Sequence, residues 1–299
     1  MKIGITGARG LIGKRLTALL VEKGHEAVLY TRNVDEVFSP GHELRHFSPE
    51  LAEQTDVSGL DALVHLAGES VLGIWTAAKK QQIRSSRLLG TQGLVKAMKD
   101  SERAPQVFVC ASGTGFYGDR ADEVLTEESE LGRGFLAEVT QVWESAAMQA
   151  QDDGIRVVCG RVGMALGAGG GAAPLLRKLF RLGLGGRLGS GKQWMPWVHV
   201  DDVARMFLYA IEQTALEGAV NFCAPKSLSN SEFTRVLARQ VKRPAIAWAP
   251  APLLKLVLGG MSEMLLFSER VVPEVLKQQG FDWDYEDLGD ALSQAMRKT

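Results

Sequence analysis

Three glycines at a spacing of three, Gly7, Gly10 and Gly13, lie in the opening segment KIGITGARGLIGKRL. A short apolar run precedes them and a helical pattern follows. In such a loop the first glycine permits a tight turn, the second lets the backbone approach phosphate groups, and the third allows close helix packing. The helix N-terminus, with Leu11 and Ile12 in its first turn, adds unpaired N–H groups and the positive end of the helix dipole. The pattern predicts that a dinucleotide binds here through its pyrophosphate.

Basic residues near the end of the second predicted strand bear on which dinucleotide binds. An NAD site normally has an Asp or Glu there, which bonds the ribose hydroxyls. This chain reads LYTRN, with Thr31 and Arg32 at the strand end, and Arg9 lies within the glycine loop. Because guanidinium groups bind phosphate oxygens in a bidentate manner, the two arginines favour NADP(H) over NAD(H). The alternative for Arg32 is a solvated cation that ends a strand.

The elements that position these residues alternate along the first half of the chain. Short apolar, β-branched runs are followed by longer amphipathic stretches, which is the pattern of repeated strand–helix units around a parallel sheet. We predict an α/β fold with a Rossmann-type doubly wound parallel sheet. The predicted strands are 2–6, 26–31, 44–47, 61–66, 106–111 and 155–160, and the helices between them are 11–23, 76–99 and 135–151.

Glycine-rich segments mark a change from about residue 164, where LGAGGGAAP and RLGLGGRLGSGKQW are typical of loops. We therefore predict an NADP(H)-binding domain over 1–163 and a smaller mixed α/β C-terminal lobe over 164–299, with 198–223 returning to the first domain. A substrate is expected in the seam between them. The remaining predicted elements are helices 174–182, 201–213, 229–241, 251–266, 269–279 and 285–297, and strands 219–223 and 245–248.

The composition is that of an ordinary soluble globular protein, with 45% hydrophobic residues, 23% charged residues and a formal net charge of -1. Lys and Arg form no basic block with interleaved aromatic residues, which argues against nucleic acid as a partner. The longest apolar runs, such as residues 253–261, fall short of the ~20 residues of a membrane-spanning helix. No leader pattern opens the chain, and we expect no membrane partner and a cytoplasmic location.

Cysteines and histidines give no sign of a metal site. Cys110, Cys159 and Cys223 are odd in number and far apart, and we interpret them as buried reduced thiols. The five histidines show no metal-ligand spacing with each other or with these cysteines.

Four longer motifs accompany the glycine loop: HLAGES at 65–70, ASGTGFYGD at 111–119, RLGLGGRLGSGKQW at 181–194 and WVHVDDVA at 197–204. With them the chain resembles extended short-chain dehydrogenase/reductases of the sugar-epimerase type. It is similar to the epimerase family named after human SDR family 39U member 1, over nearly its whole length. The resemblance implies an NADP(H)-dependent oxidoreductase or epimerase that acts on a small polar metabolite, with nucleotide sugars as one option.

The resemblance also implies a path for the cofactor across the strand ends. It places there Leu66, Ala67, Gly68, Arg87, Ser112, Arg161 and Gly163. The first three would pass under the adenine side and the pyrophosphate, and Arg87 would point toward the cofactor. Ser112 would face the nicotinamide, and Arg161 and Gly163 would lie beside that ring. The alternative for Ser112 is a strand-end hydroxyl bonded to backbone. Many relatives dimerise through the helices at 76–99 and 135–151, so a homodimer is an option.

The residue pair that carries acid/base chemistry in ordinary members of that superfamily is absent. Those members use a Tyr with a Lys four residues later, so that the phenolate moves a proton and the ammonium lowers the pKa of the phenol. Here the tyrosines are followed at that spacing by Val34, Ala121, Gln213 and Gly289. A non-catalytic NADP(H)-binding sensor or regulator is therefore the alternative to an enzyme.

Candidates for the missing role are Ser112, Thr114, Tyr117, Glu138, Lys192 and His199. Tyr117 is a proton donor in one interpretation, although relatives use its turn mainly for substrate contact. Glu138 is a base if burial raises its pKa. Lys192 and His199 would meet an anionic substrate, or belong to a loop and a strand end.

Two further pairs of residues have structural interpretations. Asp201 and Asp202 lie at a strand-to-helix junction, and we interpret them as helix-capping residues that complement the dipole. Trp194 and Trp197 either form an apolar wall over a ring-shaped substrate or fill the seam between the lobes.

Overall fold

The sheet at the centre of the molecule has seven strands, and every neighbouring pair is parallel. The computed structural model describes residues 1–34 and 41–297. The strands are β1 Lys2–Thr6, β2 Glu26–Thr31, β3 Glu43–His46, β4 Ala62–His65, β5 Val107–Gly113, β6 Arg156–Val162 and β7 Gly218–Phe222. Their spatial order is β7-β6-β5-β4-β1-β2-β3, so the succession reverses between β1 and β4. In such sheets ligands bind at the carboxyl ends of the strands beside the reversal.

Helices cover the sheet on both faces. In chain order, the helices of the described residues are α1 Leu11–Glu22, α2 Ala77–Lys99, α3 Phe135–Met148, α4 Ala172–Arg181, α5 Val200–Glu212, α6 Asn230–Val241, α7 Ala251–Leu258, α8 Glu263–Leu266, α9 Glu274–Gln278 and α10 Leu288–Ala295. Helix α1 contacts α5, and α2 contacts α3. The chain moves from β1 to β2 in one direction across the sheet, and from β4 to β5 in the opposite direction. Right-handed crossovers therefore put α1 and α2 on opposite faces of the sheet. The predicted doubly wound α/β fold is confirmed.

Short elements connect the larger ones. The strand pairs are Val124–Leu125 with Arg270–Val271, Gly186–Leu188 with Ala247–Ala249, Trp194–Met195 with Leu228–Ser229, and Met164–Gly167 with both Gly170–Gly171 and Trp197–His199. The 3-10 turns are Pro49–Gln54, Thr114–Tyr117, Gln149–Asp153 and Gly259–Ser262.

Two main hydrophobic cores form within the described residues, beside two small clusters of three or four buried residues each. The larger one surrounds the central sheet and includes Phe207 of α5 and Phe222 of β7. The smaller one is built around Trp197, Phe233 and Leu292. Since β7 pairs with β6, the chain beyond residue 163 contributes to both cores. The domain boundary at residue 163 and the assignment of 164–299 to substrate stay predictions.

The predicted bounds of strands and helices agree best with the structure in the central sheet and least well near the C-terminus. All six strands predicted for the first half are present, and their ends agree within two residues. The predicted helix 269–279 is wrong at its start: a strand, Arg270–Val271, comes first, because Pro273 favours extended backbone before it. The predicted helix 251–266 is interrupted at Gly259, whose φ is 55°.

None of the helices in residues 1–34 and 41–297 is long and apolar enough to cross a membrane. Within the same residues, no group of three or more His, Cys, Asp or Glu side chains could hold a metal ion. The three cysteines are free and buried, as predicted. Burial raises the pKa of each thiol, so they are unreactive core residues.

Candidate cofactor and substrate site

The glycine loop connects β1 to α1 at the reversal point of the sheet. Gly7 has a φ of 72°, and a Cβ there would lie 2.8 Å from the carbonyl carbon of Leu66. A Cβ on Gly13 would overlap the Gly7 carbonyl oxygen and lie 2.7 Å from Ala8 Cα. A Cβ on Gly10 would meet only that same oxygen, at 3.2 Å. The fold itself therefore requires Gly7 and Gly13, whereas the open side of Gly10 is room for a ligand.

Helix α1 begins with N–H donors that have no partner among the described residues. Gly10 is its N-cap and offers no side-chain bond, and the first turn holds no acidic residue. The first hydrogen bond of the helix is made by the N–H group of Lys14, which donates to the Gly10 carbonyl at 3.0 Å. The N–H groups of Leu11, Ile12 and Gly13 thus point out of the helix end toward the space above Gly10. This arrangement suits a pyrophosphate.

The predicted 2′-phosphate residues lie at adjacent strand ends. Thr6 of β1 is paired with Tyr30 of β2, so the loop that holds Arg9 and the segment that holds Arg32 leave the sheet side by side. Both arginine side chains are exposed. Thr31 is buried, and its hydroxyl accepts the N–H of Asn33 at 3.4 Å. Charge and exposure at this edge suit a phosphate group.

A buried polar cluster fixes the loop after β4. The Thr6 hydroxyl oxygen accepts the N–H groups of Leu66 and Ala67, both at 3.2 Å, and lies 2.7 Å from His65 Nδ1. The hydroxyl and Nδ1 are hydrogen-bonded to each other, and the buried Nε2 has no partner among the described residues. Burial and, to a lesser degree, the charge of Arg87 lower the pKa of His65 to about 3, so the ring is neutral. The cluster holds Leu66 and Ala67 against the turn at Gly7.

Arg87 lies directly beneath Gly68. A Cβ on Gly68 would meet the guanidinium carbon at 3.2 Å, so this glycine is what admits the side chain. Arg87 Nη1 donates to the carbonyl of Glu69 at 2.9 Å, and the guanidinium stacks on the Trp143 ring at 4.7 Å. Burial lowers its pKa to about 10, which leaves it charged at neutral pH. It therefore brings a positive charge under the strand-end loop.

Ser112, at the end of β5, belongs to a buried charged network. Its hydroxyl donates to Glu144 Oε1 at 2.6 Å. Arg161 binds the same carboxylate with two donors, Nε at 2.9 Å and Nη2 at 2.8 Å. Ser112 is thus satisfied by a side chain rather than by backbone. Because its proton is used, the hydroxyl presents only acceptor lone pairs to a ligand.

Tyr117 occupies the interior of the same network. Its side chain has no exposed surface; the phenol donates to Asn221 Oδ1 at 2.7 Å and accepts from Arg161 Nη1 at 3.0 Å. Burial raises the pKa of the phenol to about 12. In this setting Tyr117 fits the packing of the turn after β5 better than contact with a substrate.

Gly163, another residue of the expected cofactor path, comes directly after the end of β6. Its N–H donates to the Phe222 carbonyl at 3.1 Å. A Cβ at this position would lie 3.1 Å from the Pro196 carbonyl oxygen. The glycine therefore lets the segment before Trp197 approach the strand ends.

Glu269 is a candidate that the sequence analysis missed. It lies in the segment wrongly predicted as helix, where its N–H donates to the Trp194 carbonyl at 3.1 Å, and it remains partly exposed. Its carboxyl faces Thr114, in the turn that follows Ser112. Burial raises the pKa of Glu269 to about 7; Thr114 lowers it by hydrogen bonding and Asp119 raises it. The only signal in the sequence was an acidic residue beside Ser268 and Arg270, which is too common to single out.

The other predicted candidates lie elsewhere. Glu138 and Lys192 are exposed, and burial therefore does not prepare Glu138 as a base. His199 is fully buried, with Nε2 bonded to Gln294 Oε1 at 2.8 Å and Tyr285 against its ring. These contacts place His199 in the second core rather than at an open seam.

The prediction that Asp201 and Asp202 cap helix α5 is wrong. The N-cap is His199, whose Nδ1 accepts the N–H of Asp201 at 3.3 Å. Asp201 instead pairs with Arg15 of α1 at 2.6 Å, and Asp202 is buried and accepts two backbone N–H groups from residues 284 and 285. Both are structural, and both lie in the first turn, where they suit the helix dipole.

The two tryptophans have different surroundings. Trp197 is buried in the second core and donates to the Lys226 carbonyl at 3.1 Å. Trp194 is partly exposed, with Arg270 over its ring at 4.5 Å. Only Trp194 remains available as a wall of the seam.

Comparison with known proteins gives relatives over the full length of the chain. An epimerase family protein of Mycobacterium bovis, Mb2239, is 36% identical over 297 residues, covering 98% of this chain and 97% of its own. YfhF of Bacillus subtilis, also an epimerase family protein, is 34% identical over 305 residues and 100% of both chains.

Solved structures show the same relationship. The human epimerase family protein SDR39U1, crystallised with NADPH, superposes with a TM-score of 0.90 at 32% identity over 99% of each chain. A nucleoside-diphosphate sugar epimerase from Corynebacterium glutamicum gives a TM-score of 0.80 at 36% identity over 99% of this chain and 58% of its own.

Two family descriptions account for most of the sequence. Residues 249–295 match a domain of unknown function, DUF1731. Residues 3–223 match the NAD dependent epimerase/dehydratase family, and these residues include the glycine loop, the Thr6 cluster and the Ser112 network. The chain belongs to the NAD-dependent epimerase/dehydratase family.

Proposed function

We propose that this protein binds NADP(H) across the carboxyl ends of β1, β2 and β4 and transfers hydride to or from a small polar metabolite held at the seam. The observation that carries the proposal is the bend at residues 7–13, where free N–H groups of α1 face the open side of Gly10. The NADPH of the human relative supports the choice of cofactor. The nucleoside-diphosphate sugar epimerase from Corynebacterium supports nucleotide sugars as one substrate class.

The residues of this chain have separate tasks in binding. The amides of Leu11, Ile12 and Gly13 hold the pyrophosphate, and Arg9 and Arg32 hold the 2′-phosphate. The loop after β4, fixed by Thr6 and charged from beneath by Arg87, carries the adenine side. Arg161 and Gly163 border the nicotinamide end. When bound, NADPH supplies a hydride to a carbonyl carbon.

A proton must reach the carbonyl oxygen as hydride reaches its carbon. Tyr117 and Ser112 are the sequence-based candidates, but the phenol is buried with a pKa of about 12 and the serine proton is held by Glu144. We infer that Glu269 supplies this proton, since its carboxyl is half protonated near neutral pH and faces the turn after Ser112. Ser112 then accepts a hydrogen bond that orients a substrate hydroxyl. In the reverse direction the carboxylate takes the proton.

The alternative is a non-catalytic NADP(H) sensor or regulator. The internal bonds of Ser112 and Tyr117 favour it, because both hydroxyls act within the fold. A cytoplasmic location and a homodimer through α2 and α3 are carried as predictions in either case.

Calorimetry with NADPH and NADH tests the binding proposal. We expect NADPH to bind one site per chain and more tightly than NADH. Equal affinity would contradict the cofactor assignment, and no binding would contradict the function. Incubation of the NADPH complex with nucleotide sugars and small ketones, followed by absorbance, separates the two functions: an enzyme oxidises NADPH with at least one of them, and a sensor with none.

A further inference from the structure

A basic groove lies in the second lobe, away from the residues of the proposed cofactor path. It has a volume of about 680 Å³ and is bordered by α6, by the strand pair Gly186–Leu188 and Ala247–Ala249, and by the link from α6 to the second of these strands. Five of its lining side chains are cationic: Arg187, Arg235, Arg239, Lys242 and Arg243. None of the residues found to line it is Asp or Glu. In a chain of net charge -1, the groove concentrates positive charge.

These cations differ from others on the surface in their pairing. Lys2, Lys96 and Arg120, for example, each lie within 3.1 Å of a carboxylate oxygen. Over residues 1–34 and 41–297, the five groove cations make no such ion pair. Glu232, whose carboxyl feels the charge of Arg235, already accepts the N–H and hydroxyl of Ser229 in a capping box. The five groove cations therefore make no ion pair within the described structure, and the nearby Glu232 carboxylate offsets only part of the charge of Arg235.

Helix capping explains only part of the cluster. Arg239 lies in the last turn of α6 and Lys242 is its C-cap, positions where cations favour the helix dipole. Arg235 lies a full turn earlier, and Arg187 and Arg243 come from other segments. Five like charges in one concave surface repel one another and raise the local potential, which attracts anions.

An aromatic ring is fixed at the edge of the same groove. Trp248 is 60% exposed, yet its Nε1 donates to the Gly189 carbonyl at 2.9 Å, which holds the ring in place. Arg187 lies over this ring at 5.7 Å. A fixed, exposed indole beside guanidinium groups offers one stacking surface for a planar group.

We propose that this groove is a second binding site, for a small molecule with two or more phosphate groups. The volume is within the range of small-molecule sites, about 300 to 1,000 Å³. Guanidinium groups bind phosphate oxygens with paired donors, and the arginines come from three segments that converge on one space. A nucleic acid would need a basic surface that continues beyond the groove with several stacking residues. The site is independent of the cofactor proposal because it shares no residue with it.

Calorimetry with inorganic tripolyphosphate on the protein saturated with NADPH tests this site. Saturation fills the cofactor loop, so that the probe reports on the remaining anion sites. We expect one tripolyphosphate per chain, with affinity that falls as salt is raised. The double variant Arg235→Gln, Arg239→Gln should weaken binding by about tenfold or more, since each charge-assisted bond contributes roughly a factor of ten. Arg181→Gln, an exposed cation of α4 outside the groove, should leave it unchanged.

Several results would overturn the site. They are no binding to the saturated protein, equal binding by the double variant, or binding of single-stranded oligonucleotide or polyglutamate with none of tripolyphosphate. Thermal melting of the double variant shows whether it is folded. A crystal of the unmodified NADPH complex soaked in tripolyphosphate gives a second measurement, in which density must lie between α6 and Trp248.

Discussion

The hydroxyl of Ser112 donates to the carboxylate of Glu144, with 2.6 Å between Oγ and Oε1. The same carboxylate is the partner of the buried Arg161 guanidinium. The position expected to face the nicotinamide is therefore held from behind by a buried ion pair. We therefore expect the geometry of the proposed site and the stability of the fold to depend on the same three side chains.

Removing the charge of Glu144 should destabilise the protein strongly. Glu144→Gln leaves Arg161, which is 4% exposed, without its counter-ion. Breaking a buried pair in this way costs about 3 to 5 kcal/mol of unfolding free energy. Urea unfolding measures it, with Glu138→Gln on the exposed side of α3 as the control, expected within about 0.5 kcal/mol of the parent. Similar values for the two variants would contradict a structural role for the pair.

Two glycines of the loop should have different roles: Gly13 should be needed for stability, and Gly10 for binding of the ligand. Gly13→Ala places a Cβ against the Gly7 carbonyl and Ala8, and should lower the unfolding free energy by about 1 to 3 kcal/mol. Gly10→Ala has only one close neighbour and should change it by less than about 1 kcal/mol, while weakening NADPH binding. Thermal unfolding and calorimetry separate the effects. Unchanged NADPH affinity in Gly10→Ala would remove the ligand from this loop.

Selectivity for the extra phosphate should depend on Arg32. Arg32→Ala removes a charged donor, and we expect NADPH affinity to fall about tenfold to a hundredfold. NADH affinity should change little, because its ribose carries no phosphate at this position. Arg181→Ala serves as a control for loss of a surface charge. Equal losses for both nucleotides in calorimetry would show that Arg32 does not read the phosphate.

Local patterns explain why much of the fold and the loop could be predicted. Gly7, Gly10 and Gly13 lie within seven residues, and the buried strands are continuous apolar runs. The Ser112 network could not be predicted in this way. Ser112 and Glu144 are 32 residues apart and Tyr117 and Asn221 are 104 apart, so only the folded sheet brings them together.

Glu269 was missed for a related reason. Its environment is made by Thr114 and Trp194, both far away in sequence, and the strand that positions it was predicted as helix. Periodicity over so short a segment does not distinguish a two-residue strand from the first turn of a helix. The unusual carboxyl is visible only once these distant segments are placed together in the fold.

The raised pKa of Glu269 should make part of the stability depend on pH. In the unfolded chain this carboxyl has an ordinary pKa of 4.5, and burial in the fold raises it to about 7. Between these values the folded state binds more protons, so its contribution to the unfolding free energy falls as pH rises from about 4.5 to about 7 and is lost above that.

Glu269→Gln removes this titration while keeping a neutral side chain of similar shape. We therefore expect the variant to gain stability relative to the parent as pH rises, by on the order of 2 kcal/mol between pH 5 and pH 8. Urea unfolding across that interval gives the difference curve, in which titrations common to both proteins cancel. Glu138→Gln, at an exposed position of α3, serves as the control variant. A flat curve for Glu269→Gln would mean that its carboxyl is ionised throughout, and the proton donor at the seam would have to be another group.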